Sequence, residues 1–233
     1  MATHQEIAQV SDQDLLDRMI RSHDGRFNEE FWQYLDTHVA PLLFGKKLNE
    51  KLGENPTIID LGCGPGLLLR DIRSRYENAN LFGYDITEVM ISYAQNKVKY
   101  AAETPHFEVL DITEKPLPHK DESVDMLVMA AVLHVLPEPL PILTEIKRCL
   151  KAGGVFLLHD WVARPLPDYL DRMLEDVPEE VYEKAKSQMY KLFPSHNKYT
   201  IDDWLWLLNE AGFKVLEQVQ LGSPHFRTFV CQK

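Results

Sequence analysis

The sequence predicts an α/β fold: a doubly wound, mostly parallel seven-stranded sheet with helices on both faces. Three observations lead to it. Short apolar segments alternate with amphipathic segments of helical period between Thr57 and Leu158, the pattern that builds parallel sheets through right-handed crossovers. The first strand, Thr57-Ile58-Ile59-Asp60, is β-branched up to its closing acid, as suits a strand covered on both faces. It runs directly into Leu61-Gly62-Cys63-Gly64-Pro65-Gly66, and glycine permits a sharp turn and close approach of backbone to a ligand.

Each element has its own signal. Leu15, Leu16, Met19 and Ile20 mark a first helix. Phe31, Trp32, Leu35, Val39, Leu42 and Leu43 mark a second, capped by Asn28, with Pro41 placed to kink or end it. Leu67–Arg75 reads as the helix that follows the glycine turn, and Asn80–Tyr84 as strand two. Thr87 is placed to cap a helix carrying Val89, Met90, Tyr93, Ala94, Val98 and Ala101. His106–Leu110 and Val124–Met129 read as strands three and four. Leu140, Leu143, Ile146 and Leu150 mark a helix ended by Gly153-Gly154, before strand five at Val155–Leu158. Ala163 to Lys198 is rich in Pro, Glu and aromatics and reads as two helices with proline-marked joints. Thr200 caps Ile201–Ala211, and Lys214–Gln220 and Arg227–Cys231 form a closing strand pair around Ser223-Pro224. The expected organisation is one domain: a helical N-terminal segment 1–56, a core 57–160, a helical insertion 161–199, and a C-terminal helix and strand pair 200–233.

Composition narrows the function. The net charge is −11, and a field of that sign opposes polyanions, so nucleic acid is not expected as the main partner. No apolar run reaches the roughly 20 residues that a membrane span needs. Met1 to Val10 is polar and has no apolar core, so no signal peptide is expected. Cys63, Cys149 and Cys231 are odd in number and lack metal-ligand spacing. They suit a reducing, cytoplasmic setting without a bound metal.

The glycine spacing selects the ligand. A dinucleotide fingerprint, G-x-G-x-x-G, seats a pyrophosphate. Here Gly62, Gly64 and Gly66 alternate, and Leu67 stands where the third glycine of that fingerprint belongs. Asp60 would repel a pyrophosphate and suits a ligand with an ammonium group.

Residues 58–66, IIDLGCGPG, resemble motif I of the class I S-adenosylmethionine (SAM)-dependent methyltransferases. The resemblance implies SAM as cofactor, with its amino-acid end over Asp60, Gly62, Cys63, Gly64 and Gly66. Asp85, with Ile86 beside it, then matches the acid that takes the ribose hydroxyls, and Asp111 and Ile112 match the adenine site. Ala130 at the end of strand four would let the methionine part approach. Leu150-Lys151-Ala152-Gly153-Gly154 is similar to the family's L-K-P-G-G turn, with Ala152 in place of proline. Arg26 is a candidate for the methionine carboxylate.

The family resemblance leaves the acceptor open. After strand four the chain reads Met129-Ala130-Ala131-Val132, not an amino-methylating N-P-P-Y motif. With no basic patch either, a small-molecule acceptor methylated at oxygen or nitrogen is expected. His134 and His159 follow strands four and five, at the edge where open α/β sheets bind ligands, and are the candidate catalytic bases. His134 resembles the first histidine of the family's L-H-H segment, although Val135 replaces the second. Trp32, Asp160, Trp161 and Tyr199 are candidate acceptor contacts. The N-terminal helices and the insertion would form a lid whose aromatic faces offer a place for a cation.

Overall fold

The structure, a computed structural model, describes residues 11–44, 55–175 and 177–233. Met1–Val10, the segment read as lacking a signal peptide, lies outside the described residues, as do 45–54 of the N-terminal segment.

The sheet has seven strands: β1 (Thr57–Leu61), β2 (Asn80–Asp85), β3 (His106–Val109), β4 (Val124–Ala130), β5 (Leu150–Trp161), β6 (Lys214–Val219) and β7 (Phe226–Gln232). Their order is β3-β2-β1-β4-β5-β7-β6. β1 to β5 pair in parallel, and β7 runs antiparallel to both β5 and β6. The chain direction across the sheet reverses between β1 and β4. That switch point opens a crevice at the carboxyl ends of the strands.

Alternation along each strand feeds two cores. Ile58, Met126, Val128, Val155 and Leu157 face one side. There they meet α2 (Glu29–Tyr34), α3 (Ala40–Phe44), α4 (Leu67–Arg75) and α5 (Glu88–Asn96). Ile59, Leu61, Leu127, Met129, Phe156 and Leu158 face the other side. Their partners are α6 (Pro139–Cys149) and α9 (Ile201–Glu210). α1 (Asp12–Arg26) runs over the carboxyl edge of the sheet and contacts α4 and α5. The insertion forms α7 (Leu166–Leu174) and α8 (Tyr182–His196). These two build a third core with Trp161 and Phe226, through Tyr169, Leu174, Met189 and Leu192. Among the described residues no helix is long and apolar enough to cross a membrane.

Several local expectations are corrected. Pro41 does not end its helix: the π-helical turn Leu35–Val39 joins α2 to α3, which runs through Pro41 to Phe44. The Ala40 N–H reaches back to the Leu35 carbonyl, which shifts the hydrogen-bond register just before the proline. Thr87 precedes α5 without a side-chain cap bond, and α5 stops at Asn96, short of Val98 and Ala101. α6 ends at Cys149; Leu150 is already extended, so the glycine pair does not cap the helix. Instead, the register against β4 jumps from Leu150 to Val155, and Lys151–Gly154 bulges out at Gly153, whose φ is +78°. By contrast, Asn28 accepts from the Phe31 N–H at 3.0 Å, and Thr200 and Asp203 form a reciprocal capping box.

Candidate active site

β1 delivers Asp60 to the crevice, and the glycine turn folds back over the tip of β2. The N–H groups of Gly62 and Cys63 both donate to the Tyr84 carbonyl, at 2.7 and 3.0 Å. Gly62 has φ +80°, and a Cβ there would collide with the Val132 side chain beyond β4. Gly66, at φ +75°, starts α4, and a Cβ on it would crowd Ala94 and the Tyr100 hydroxyl. Both positions therefore require glycine on conformation and on space.

Asp85 closes β2. Its two carboxylate oxygens accept from the Gly64 and Thr87 N–H groups, each at 2.8 Å. Burial raises its pKa, and those two hydrogen bonds oppose the rise. Asp60 is more exceptional. It is buried, accepts no hydrogen bond from a described protein donor, and its pKa is pushed up to about 8 by burial and by the charge of Asp85. An unpaired buried carboxylate is costly unless a cation meets it. That suits the ammonium group expected of the ligand. Burial lifts the Cys63 thiol well above its ordinary range, which disfavours the thiolate there.

One cavity of about 810 Å³ joins these groups to the far side of the crevice. Asp60, Gly62, Cys63, Gly64, Asp85, Ala130, His134, His159 and Trp161 all line it, as does Arg26. Ala131, on the same wall, carries an unusual φ of +58°.

The two histidines differ in setting. His134 is 3% exposed, and its Nδ1 lies 2.6 Å from Asp160 Oδ1. Asp160 is wholly buried and also accepts from the backbone N–H groups of His134 and Trp161. His159 is ringed by Phe27, Phe31 and Phe226, the last stacked on it at 5.0 Å, and its Nδ1 lies 2.8 Å from the Thr228 hydroxyl. Burial, with the Arg26 charge nearby, drives its pKa down to about 3. His159 is thus a neutral imidazole and a poor proton acceptor.

Other expected site residues are not brought together. Trp32 packs inside the first core with the Arg75 guanidinium 4.0 Å above its ring, away from the cavity. Tyr199 packs on Trp204 at 4.5 Å, in the second core. Both have the aromatic, amphipathic character of a pocket residue, but packing into the cores beside the sheet uses it first. Asp160 stands behind His134 rather than on the cavity wall. Ile86 is 58% exposed, and Asp111 spends its carboxylate on the Thr113 N–H and hydroxyl; neither these nor Ile112 nor Gly66 lines the cavity.

The cavity also takes in His196, expected in the lid, and residues that the sequence alone did not single out. His196 lies flat on Trp161, 4.4 Å between ring centres, and its Nδ1 lies 2.8 Å from the Tyr169 hydroxyl. Phe226 of β7 tilts against Trp161 at 4.7 Å. Arg18 and Arg21 of α1 and Arg172 of α7 also line the cavity. Their signal was the three- to five-residue spacing of Arg18, Arg21 and Arg26 along one helix.

A glycine turn and two acids, set at the switch point of a doubly wound sheet with an antiparallel seventh strand, define a class I SAM-dependent methyltransferase. Comparison with known proteins agrees. A family model described as a methyltransferase domain matches residues 52–212. The chain belongs to this family of methyltransferases, and its cofactor is SAM. It is 27% identical over 197 residues to the carboxy-S-adenosyl-L-methionine synthase of Nautilia profundicola, covering 80% of this chain and 81% of that protein. It is 31% identical over 110 residues to a tRNA N(3)-cytidine methyltransferase of Gallus gallus, covering 45% of this chain but 30% of that protein. A solved SAM-dependent methyltransferase from Aquifex aeolicus superposes with a TM-score of 0.55 at 25% identity, covering 86% of this chain and 95% of that one.

Proposed function

We propose that the enzyme methylates an oxygen or nitrogen of a small-molecule acceptor held in this cavity. The observation that supports this reading most directly is the continuity of the space. Asp60 and Asp85 stand on the same 810 Å³ cavity as His134 and Trp161. That volume lies within the range of small-molecule and cofactor sites.

SAM supplies an activated methyl on a sulfonium, so the protein's work is alignment and exclusion of water. The Asp60 carboxylate takes the ammonium end, and the charge it gains there removes the cost of its burial. Asp85 is positioned to exchange its backbone hydrogen bonds for the ribose hydroxyls. Ala130 leaves room beside the carboxyl end of β4. α1, α7 and α8 wall the cavity on the sides that the sheet leaves open. His134 is the better general base: Asp160 fixes its Nδ1 and stabilises the imidazolium that forms when it accepts the acceptor's proton. His159, kept neutral, serves as a wall and anchors β5 to β7 through Thr228. A reducing intracellular setting fits the three buried thiols.

Incubation with methyl-labelled SAM tests the reading, using three acceptor pools: low-mass metabolites, total protein and tRNA. Label in a low-mass fraction is the expected result. Label only in tRNA or protein overturns it. A second reading, production of carboxy-S-adenosyl-L-methionine, draws support from the synthase of similar length. A SAM-derived product heavier by one carboxyl group, found by mass spectrometry, would favour that reading over methyl transfer.

A further inference from the structure

The cavity lining carries an excess of positive charge, opposite in sign to the net charge of the chain. The protein has a net charge of −11, yet Arg18, Arg21, Arg26 and Arg172 all line this one space. The carboxylates among the described lining residues are Asp60 and Asp85, and both sit at the glycine turn. Arg18, Arg21 and Arg26 form no ion pair with a carboxylate among the described residues. Arg26 instead holds its guanidinium 5.6 Å from the Phe226 ring centre. Arg172 meets Glu175 at 3.1 Å, but both side chains are about half exposed, and such a pair is weak and readily exchanged.

We infer that the acceptor is a small molecule bearing at least two anionic groups, carboxylate or phosphate, gripped by the arginines of α1 and α7. This rests on the small-molecule reading above and names its substrate class. One guanidinium suffices for the carboxylate of SAM, which leaves the others unassigned. Guanidinium forks match carboxylate and phosphate oxygens in pairs. A cationic acceptor, which the aromatic walls alone would allow, meets several guanidinium charges and the sulfonium in the same space. A neutral acceptor leaves the partly buried guanidinium charges of Arg18 and Arg26 uncompensated.

The test titrates citrate, inorganic phosphate and choline into the protein saturated with S-adenosylhomocysteine, followed by calorimetry. Citrate or phosphate should bind, and choline should not. The Arg18→Gln/Arg21→Gln double variant should weaken anion binding by at least about tenfold. The matching double lysine variant, which keeps the charge, should recover part of it. Thermal stabilisation by S-adenosylhomocysteine reports that each variant is folded. If citrate alone binds, the groups recognised are carboxylates; if phosphate alone binds, they are phosphates. Choline binding in place of either anion overturns the inference, and so does anion binding that ignores both arginines. Label appearing only in tRNA or protein would instead bring down the small-molecule reading itself, whatever the anions do.

Discussion

His134 and Asp160 come from different strand ends yet meet at 2.6 Å, with Nδ1 of the ring on a carboxylate that no solvent reaches. The pairing fixes the orientation of the imidazole at the cavity wall. Replacing His134 by Ala should cost about 10²-fold or more in kcat if it acts as a base. Asp160→Asn should also lower kcat while leaving SAM affinity near that of the parent. Single-turnover rates alongside SAM titrations separate the two quantities. Parallel loss of both would mark the pair as structural only.

Asp60 predicts a proton-linked cofactor. Its pKa of about 8 in the free protein means that the carboxyl is largely protonated at neutral pH. A bound ammonium favours the ionised form, so binding should release a proton and affinity should rise from pH 6 toward pH 8. Calorimetry in two buffers of different ionisation enthalpy measures that proton.

The same group sets a stability trend. Its folded pKa lies above its unfolded value, so the folded chain holds the extra proton between about pH 4 and pH 8. Stability should therefore fall as pH rises through that window. Asp60→Asn should stabilise the free protein at pH 8 by about 1–3 kcal/mol while weakening SAM. An unchanged melting temperature would speak against the buried, unpaired carboxylate.

Asp85→Ala should act on the fold as well as on the ligand. Two backbone N–H groups, of Gly64 and Thr87, lose their acceptor. The expected costs are about 1–3 kcal/mol of stability and at least about tenfold in SAM affinity. Denaturant melts and SAM titration of the same sample check both.

His159 should stay neutral across the working pH range. Its pKa near 3 lies below the unfolded value, so its contribution to stability is present above about pH 6.5 and is lost as pH falls toward 3. Ring-proton NMR should show no titration of His159 between pH 5 and pH 8. His159→Gln should flatten the acid side of the stability curve.

The frame of the fold was legible because it is written locally. β-branched runs, the Asp60 and glycine turn, and the cap at Thr200 depend on neighbours within a few residues. Asp85 was legible through its place at the tip of a strand. Trp32 and Tyr199 were not, because an aromatic residue in an apolar segment reads as buried but the sequence does not say against which partner. Arg18 and Arg21 of α1 were passed over for a related reason. Spacing puts Arg18 and Arg21 on one face of α1, but only the packing of α1 across the sheet edge brings that face to the cavity. The bulge after Leu150 was hidden because glycine pairs serve helix ends and strand irregularities equally well.

β7 is the last of the seven strands to leave the ribosome, yet it lies between β5 and β6. Its Thr228 and Phe226 contact His159, and Phe226 also contacts Trp161. A nascent chain that has completed β1 to β5 can close the parallel half of the sheet and shape the glycine turn. The outer edge of β5 then stands bare, with apolar residues on both of its faces, and a bare edge of that kind invites pairing between chains. The cavity gains its far wall only when β7 slides into that gap. Chain order thus allows a cofactor seat to form before the chamber that makes it useful, and loss of this one late strand would leave the edge of β5 bare.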